Sequence, residues 1–561
     1  MYIFYFFAIQ RKVTILFIAS ALAITSNLIG QTRLFVQGSL KINDDVAKNL
    51  TVRSINGKLS VFKFNENFQD AGSLTLEIDS VSYEFLFDEL DRRRDSDFSW
   101  FGRTQDRNSS IALTFLDGQV LGSVLILGRQ FQISPNGVGS VYFYEQSPTN
   151  IPRDHDEIVA PVIDIAVPKN GNLRTNLTDG IRRIRVLLAY TDAAETGLNS
   201  IGITDMRLFL QNAITTTNQT LINSNVAHRV RLACGIRTFY NPSAEADGHD
   251  DAANRLKILN DGYMDEIITY RDNTSADVCV VIINNASLCG SAAQIGSNSA
   301  NAYASTHWDC ISTNNTLAHE IGHLHGCRHN PEADGANVPF AYGHGFLNET
   351  DGWRTVMSYD CEDGPCATRI ANWSNPDVII GGVPTGTAGT HDNARVLDET
   401  SAAIAAYRTA PATLSLGLSS SLVYRSYAEA IATSEVVMAN DFFVELGCEY
   451  HVYADPLAAA NDYFPFRTAA ETTETDTTRE EKQNEPFIIF PNPSNGEINI
   501  STNVKGSYDI IVTDLSGKLI FQTQQINEPK IKLNLNRQPP GLLNVIITAP
   551  GRKYTKNILK F

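Results

Sequence analysis

The sequence predicts a multidomain chain: a central α/β (α+β) domain with a mixed twisted sheet, a β-rich region before it, and a β-sandwich tail after it. Three observations carry this. Strand-like and helix-like segments alternate between residues 181 and 410. Short alternating apolar runs separated by turn residues fill 31–180, and a compact strand-rich stretch runs from 486 to 561. The 561 residues, 43% hydrophobic and 19% charged, have globular composition and suffice for several domains.

In chain order, Arg11 and Lys12 precede an apolar run, 13–24, and a small-residue exit ending near Gly30. These are the parts of a secretory signal, expected over 1–30. A membrane anchor is the rival reading, but the apolar run is short for a span of ~20 residues. No later stretch is long and apolar enough to cross a bilayer, so no stable span is expected in the mature chain. Within 31–180, segments 58–64, 110–115, 119–127 and 139–144 read as strands, charged 91–97 as an exposed loop, and 169–180 as a linker. From 181, segments 183–190, 230–236 and 278–283 read as strands, the last as a buried parallel one. Segments 204–222 and 251–268 read as helices. Residues 411–466 form a short β-rich module, 467–485 a Thr- and Glu-rich linker, and 486–561 the tail.

The formal net charge of -17 repels phosphate backbones, which excludes nucleic acid as a partner and serves solubility. Seven of the eight cysteines (Cys234, Cys279, Cys289, Cys310, Cys327, Cys361 and Cys366) lie between 234 and 366; Cys448 is the eighth. In an exported chain they read as disulfides, with a local Cys361–Cys366 bridge across a turn.

The chemistry concentrates between Thr316 and His329. His319 and His323, four apart, share a helix face and can reach one zinc ion. Glu320 is poorly aimed as a ligand but can hold a water on the metal, which lowers that water's pKa to ~7. Glu320 can then take the proton and pass one to a leaving amine. In an unbroken helix His329 would lie about 15 Å beyond His319. Gly326 permits the chain to turn, since glycine accepts a positive φ, and His329 folds back as the third ligand. Three imidazoles leave an open coordination position, as catalytic rather than structural sites do. His325 points away on the helix, and His307 and His344 have no ligand spacing, so all three read as structural or exposed. Cys327 reads as half of a disulfide with a nearby loop cysteine rather than as a ligand.

This segment matches HExxHxxGxxH, and with it the chain resembles the metzincin metallopeptidases. Residues 181–410 resemble a reprolysin-like catalytic domain, the subgroup that includes the adamalysins. The resemblance implies an active-site helix and a Met-turn, fitted by Met357, as a floor under the ligands. It implies that Tyr359 is a loose fifth ligand or an oxyanion stabiliser, or else simply packed. Edge-strand pairing with an extended peptide is implied near 297–304, with Ala302, Tyr303 and Ala304 as candidates. Two departures stand: adamalysin-type motifs carry Asp after the third His where this chain has Asn330, and Tyr359 leans toward other metzincins. Residues 31–180 resemble a prodomain, without the cysteine that a thiolate switch needs, so latency falls to a carboxylate or to occlusion.

The tail resembles the sorting domain of the type IX secretion system of Bacteroidota-like bacteria, through Phe490-Pro-Asn-Pro-Ser-Asn-Gly496, Val512-Thr-Asp-Leu-Ser-Gly-Lys518, Leu533-Asn-Leu535, Pro540-Gly-Leu542 and Lys560. An Ig-like binding module is the alternative. Together these imply a secreted or surface zinc metalloendopeptidase acting on proteins or peptides, made as a zymogen and exported through periplasm and outer membrane by the type IX machinery. Calcium is a further candidate ion, though no loop shows a clear ligand pattern. The alternative function is a surface adhesin on the same scaffold with little turnover, against which the intact Glu320 argues.

Overall fold

A computed structural model describes residues 31–36, 42–147 except 67 and 127, 152, and 183–454 except 243–247, 259, 362–366, 418–419, 423–425, 440 and 447. Beyond these it describes 467–468 and the strands between 487 and 560 with their shorter connections. The expected signal segment, the 169–180 linker and most of the 467–485 linker lie outside the described residues. The chain divides into two compact units, 1–469 and 470–561.

The first unit begins with a helix, Asp44–Arg53, capped by the Asn43 side chain. A long antiparallel sheet follows, running in space from Ser73–Ile78 through Val81–Arg94, Asp97–Arg103, Ser109–Leu116, Gln119–Ile126, Arg129–Pro135 and Ser140–Glu145 to Ser60–Phe64. Asp117 and Gly118, both at positive φ, make the two-residue turn that closes one hairpin. One face carries an aromatic core with Phe68, Phe98, Trp100, Phe115 and Phe131. Segment 91–97, expected as an exposed loop, is a hairpin in which Arg92, Arg94 and Asp95 are exposed. The side chain of Asp97 is 2% exposed because it pairs with both Arg93 and Arg207, so these charges answer one another inside the fold.

The central sheet holds β1 (Arg183–Thr191), β2 (Arg229–Thr238), β3 (Val278–Ile283), β4 (Gly290–Ala292), β5 (Tyr303–His307), β6 (Tyr427–Ala432) and β7 (Glu449–Ala454). Among the described residues the order is β4-β5-β3-β1-β2-β6-β7. Strands β5, β3, β1 and β2 are parallel, and β4 is antiparallel at one edge. All of β3 is buried, as its unbroken apolar run requires, and each Val or Ile side chain contributes about 1.5–3 kcal/mol. The segment expected as a separate module at 411–466 contributes β6 and β7 to this same sheet.

The helices are α1 (Asp192–Ser200), α2 (Met206–Asn223), α3 (Gly248–Arg255), α4 (Glu266–Asn273), α5 (Thr316–His325) and α6 (Asn393–Ile404). The single helix expected over 251–268 is two, α3 and α4. Asn260 and Gly262 both take positive φ between them, and the Asp265 carboxylate accepts their backbone N–H groups. Helix α2 is buried on nearly every face, because the N-terminal sheet covers the side that the central sheet leaves. Ser99, Thr114 and Ser110 of that sheet meet Thr215, Asn212 and Asn223 of α2 through hydrogen bonds.

In the second unit, Phe487–Phe490, Glu497–Thr502 and Lys530–Asn534 form one antiparallel sheet. Ser507–Asp514, Leu519–Ile526, Gly541–Ala549 and Arg552–Lys560 form another. Ile498, Ile500 and Leu533 of the first share a core with Ile510, Val512, Val545 and Ile547 of the second.

Candidate metal centre

Helix α5 carries His319, Glu320 and His323, all buried. It ends at Gly326, whose φ of 101° is the left-handed geometry that a side chain resists. The N–H groups of Gly326 and Cys327 close on the carbonyls of His323 and Gly322. The chain then reverses and returns His329 to the two helical histidines. Their Nε2 atoms form a triangle with sides of 3.0, 3.2 and 3.3 Å.

The outer ring nitrogens fix what this triangle is. His319 Nδ1 donates to the Val356 carbonyl at 2.8 Å, and His323 Nδ1 donates to the Cys327 carbonyl at 3.0 Å. A carbonyl only accepts, so both Nδ1 atoms carry hydrogen and both neutral rings present a lone pair at Nε2. Lone pairs brought this close inside a protein repel unless a cation lies among them. At a zinc–nitrogen distance of ~2.0–2.1 Å, tetrahedral ligands stand about 3.3 Å apart, so the residues present fit zinc. Among the described residues no second group of three His, Cys, Asp or Glu side chains converges in this way.

The other candidates fall around this centre. Met357 is fully buried, and its Sδ packs where a Cβ on Gly322 would stand, 2.6 Å away, so the Met-turn lies against α5 between the two helical histidines. The Tyr359 ring stacks on His329 with centroids 3.8 Å apart. Asn330, which departs from the adamalysin pattern, accepts the backbone N–H of Tyr359 at 2.9 Å and ties the loop that returns His329 to the turn around Met357. His344 donates from Nδ1 to the His329 carbonyl at 2.7 Å. His325 is buried against Thr400, and burial pushes it down to about 3; burial does the same to His307.

Two expectations are corrected. Tyr303 and Ala304 lie on β5, which has β4 on one side and β3 on the other, and Ala302 just precedes it. The edge belongs to β4, since β4 folds back antiparallel on β5. The Tyr303 hydroxyl accepts from Arg271 at 2.6 Å, away from the metal centre. Cys327 is a free, buried thiol packed with Val356, Met357 and Trp373, and burial holds its pKa well up. The disulfide present here joins Cys289 to Cys310, linking the residue before β4 to the helical turn Cys310–Thr313 that precedes α5. Cys361 is also disulfide-bonded, but Cys366, its expected partner, lies outside the described residues.

Sequence reasoning passes over Gly290, the first residue of β4. A Cβ there would stand 2.5 Å from Glu320 Oε1, so the carboxylate lies directly against the backbone of the edge strand. No spacing rule connects positions 290 and 320, so only the assembled fold reveals the pair.

Residues 181–374 match the family described as Metallo-peptidase family M12, and residues 488–560 match the secretion system C-terminal sorting domain. A peptidyl-Asp metalloendopeptidase of Xanthomonas campestris pv. campestris is 34% identical over 350 residues, which cover 60% of this chain and 82% of that protein. Two proteins of the same name from Stenotrophomonas maltophilia strains are 37% and 36% identical, each match covering 54% of this chain and 72% of the relative.

Proposed function

The chain belongs to metallopeptidase family M12, and from that membership we propose an exported zinc endopeptidase that cuts proteins beside aspartate, with zinc on His319, His323 and His329 and Glu320 as general base. It is a metalloendopeptidase, a hydrolase of peptide bonds. The observation that carries the site assignment is the Nε2 triangle, with two of its rings locked by Nδ1 donation to backbone carbonyls.

Zinc bound there supplies Lewis acidity, which acidifies a water molecule and polarises a peptide carbonyl. Glu320 takes the proton from that water and delivers it to the departing amine. Strand β4 offers main-chain groups at the sheet edge for an extended substrate, and its Gly290 sits against the Glu320 carboxylate, so binding and proton transfer meet at one place. Tyr359, stacked on His329, is the candidate to steady the developing oxyanion. The relatives' name supports a preference for aspartate.

The sorting domain indicates export by type IX secretion to the surface or the medium. The N-terminal β region serves as a detachable prodomain in this reading. Its interface with α2 is rich in hydroxyl and amide hydrogen bonds, groups that water satisfies after release. Apolar side chains that join the catalytic core, among them Val46, Leu50, Leu121, Tyr142 and Tyr144, hold it until then.

The test is casein hydrolysis by the purified secreted protein after release of its N-terminal β region, with cleavage sites mapped by mass spectrometry. Activity abolished by a chelator and restored by zinc is expected, with aspartate flanking the cut bonds. Glu320→Gln should bind zinc normally yet lose at least ~100-fold in kcat. Hydrolysis that persists in the chelated enzyme, or in the zinc-loaded variant, sinks the assignment.

A further inference from the structure

In the full chain the metal centre is closed: His319, Glu320, His323, His329 and Tyr359 are each 6% exposed or less. In this closed form the N-terminal region grips the chain just ahead of α5. Arg53, in the last turn of the helix Asp44–Arg53, donates from one guanidinium nitrogen to both carboxylate oxygens of Asp309. The same guanidinium lies over the Trp308 ring, 5.0 Å from its centroid. The two charged side chains are 15% and 6% exposed. Trp308 is itself fixed. Its Nε1 donates to Asn284 Oδ1 at 3.0 Å, and its ring packs so closely on α1 that a Cβ on Gly197 would stand 2.5 Å away. Trp308 and Asp309 thus form a socket for one guanidinium, aromatic on its face and anionic at its end.

The place of the socket gives it a function. Asp309 precedes the helical turn Cys310–Thr313 that leads into α5, and Cys310 is bridged to Cys289, which precedes β4. Pro152, beyond the N-terminal sheet, brings its carbonyl to 3.4 Å from Cys289 Sγ. The N-terminal region therefore touches both arms of the bridge that anchors the edge strand beside Glu320. Around the socket its other polar contacts are poor. Gln132 Nε2, Ser134 Oγ and Ser312 Oγ are buried without partners beside a water-sized cavity of about 30 Å³. Such groups favour separation, since water satisfies them. The Arg53–Asp309 pair opposes it, since removing either partner leaves the other buried and unpaired. The pairs Glu89–Arg229, Asp97–Arg207 and Arg94–Glu449 cross the same boundary but land on β2, α2 and β7.

We propose that Arg53, seated between Trp308 and Asp309, holds the N-terminal region on the catalytic domain as an inhibitor after the connecting chain is cut. Activation then needs release at this socket as well as cleavage. This rests on the prodomain reading above and adds to it the contact that governs release.

The experiment places a recognition sequence for a specific protease within 169–180 of the full chain, cuts there, and follows peptide hydrolysis as the cut protein is diluted. Specific activity that rises on dilution reports release. The wild type should be inhibited when concentrated and gain activity when dilute. Arg53→Gln should move the midpoint to a concentration at least ~30-fold higher, with Arg53→Lys between the two. Asp309→Asn should also weaken retention, and the double variant should lose less than the two single losses combined, because the residues act as a pair. Arg53 departs with the released region, so Arg53→Gln and wild type should share one kcat/KM once release is complete. That equality separates retention from damage to the catalytic domain. Size-exclusion chromatography of the cut chains in a Glu320→Gln background reads the same retention without turnover.

Full activity in the uncut chain, or in a cut chain that still carries the region, overturns the prodomain reading and this assignment with it. A wild type inhibited by the bound region whose midpoint is unmoved by Arg53→Gln overturns this assignment alone. Immediate release from the wild type on cutting does the same, as do strictly additive losses in the double variant.

Discussion

Glu320 is held at its work by a residue with no side chain. Gly290 has no positive φ to explain it; its need is steric, since a methyl group there would meet Glu320 Oε1 at 2.5 Å and the Ser305 carbonyl at 2.8 Å. Gly290→Ala is therefore expected to displace the carboxylate while sparing the histidines. It should lower kcat about 10- to 100-fold with zinc stoichiometry unchanged, since ~1 Å of misplacement can cost that much. Gly389→Ala, where nothing lies within 4 Å, is the control. Wild-type turnover in Gly290→Ala would show that Glu320 tolerates the shift. The convergence of His319, His323 and His329 was legible because they share one helix and one turn, and local spacing decides which side chains meet there. Gly290, the tie from Asn330 to Tyr359 and the second-layer role of His344 were not, because each depends on a partner brought near by the fold.

At the scale of elements, the Cys289–Cys310 disulfide joins the edge strand to the turn that leads into α5. It closes a loop over a sequence separation of 21, for which chain entropy gives a stabilisation of about 3 kcal/mol. Cys310→Ser should lower the urea midpoint accordingly and reduce activity more than stability alone explains, because β4 loses its anchor beside Glu320. A midpoint equal to wild type would remove the bridge from the list of supports. The strands β1, β2 and β3 and helix α2 were legible from their apolar runs and periodicity. The edge strand was misplaced onto 297–304 because β4 has three short, small residues, Gly290, Ser291 and Ala292, with no apolar alternation to betray it. The 91–97 hairpin was missed for the opposite reason: its charges read as solvated, as Arg92, Arg94 and Asp95 are, yet Asp91, Arg93 and Asp97 pair with one another and Asp97 with Arg207 inside the fold. Helix α2 shows the same limit, since its Thr and Asn face lies buried under a sheet that local periodicity cannot see.

For the molecule as a whole, the buried neutral histidines set how the fold responds to acid. His249 is fully buried between α3 and β5, with Nδ1 at Ser305 Oγ and Nε2 donating to the Asn285 carbonyl. Burial pushes it down to about 4, and His307 nearby down to about 3. Both folded values lie below the ordinary histidine value of ~6.5, so between that pH and about 4 the unfolded chain binds protons that the folded chain does not. Their contribution is therefore fully present above pH 6.5 and is lost as the pH falls toward 4, by on the order of 3 kcal/mol for each. Metal affinity itself depends on pH, so the comparison is made in chelator with wild type and His249→Gln side by side. Urea midpoints taken from pH 7.5 to 4.5 should fall in both, but less steeply in the variant, which is less stable at neutral pH and converges on the wild type in acid. Parallel curves would mean that His249 takes up its proton alike in the folded and unfolded chain, and the acid response of the fold would then have to be sought elsewhere, first in His307.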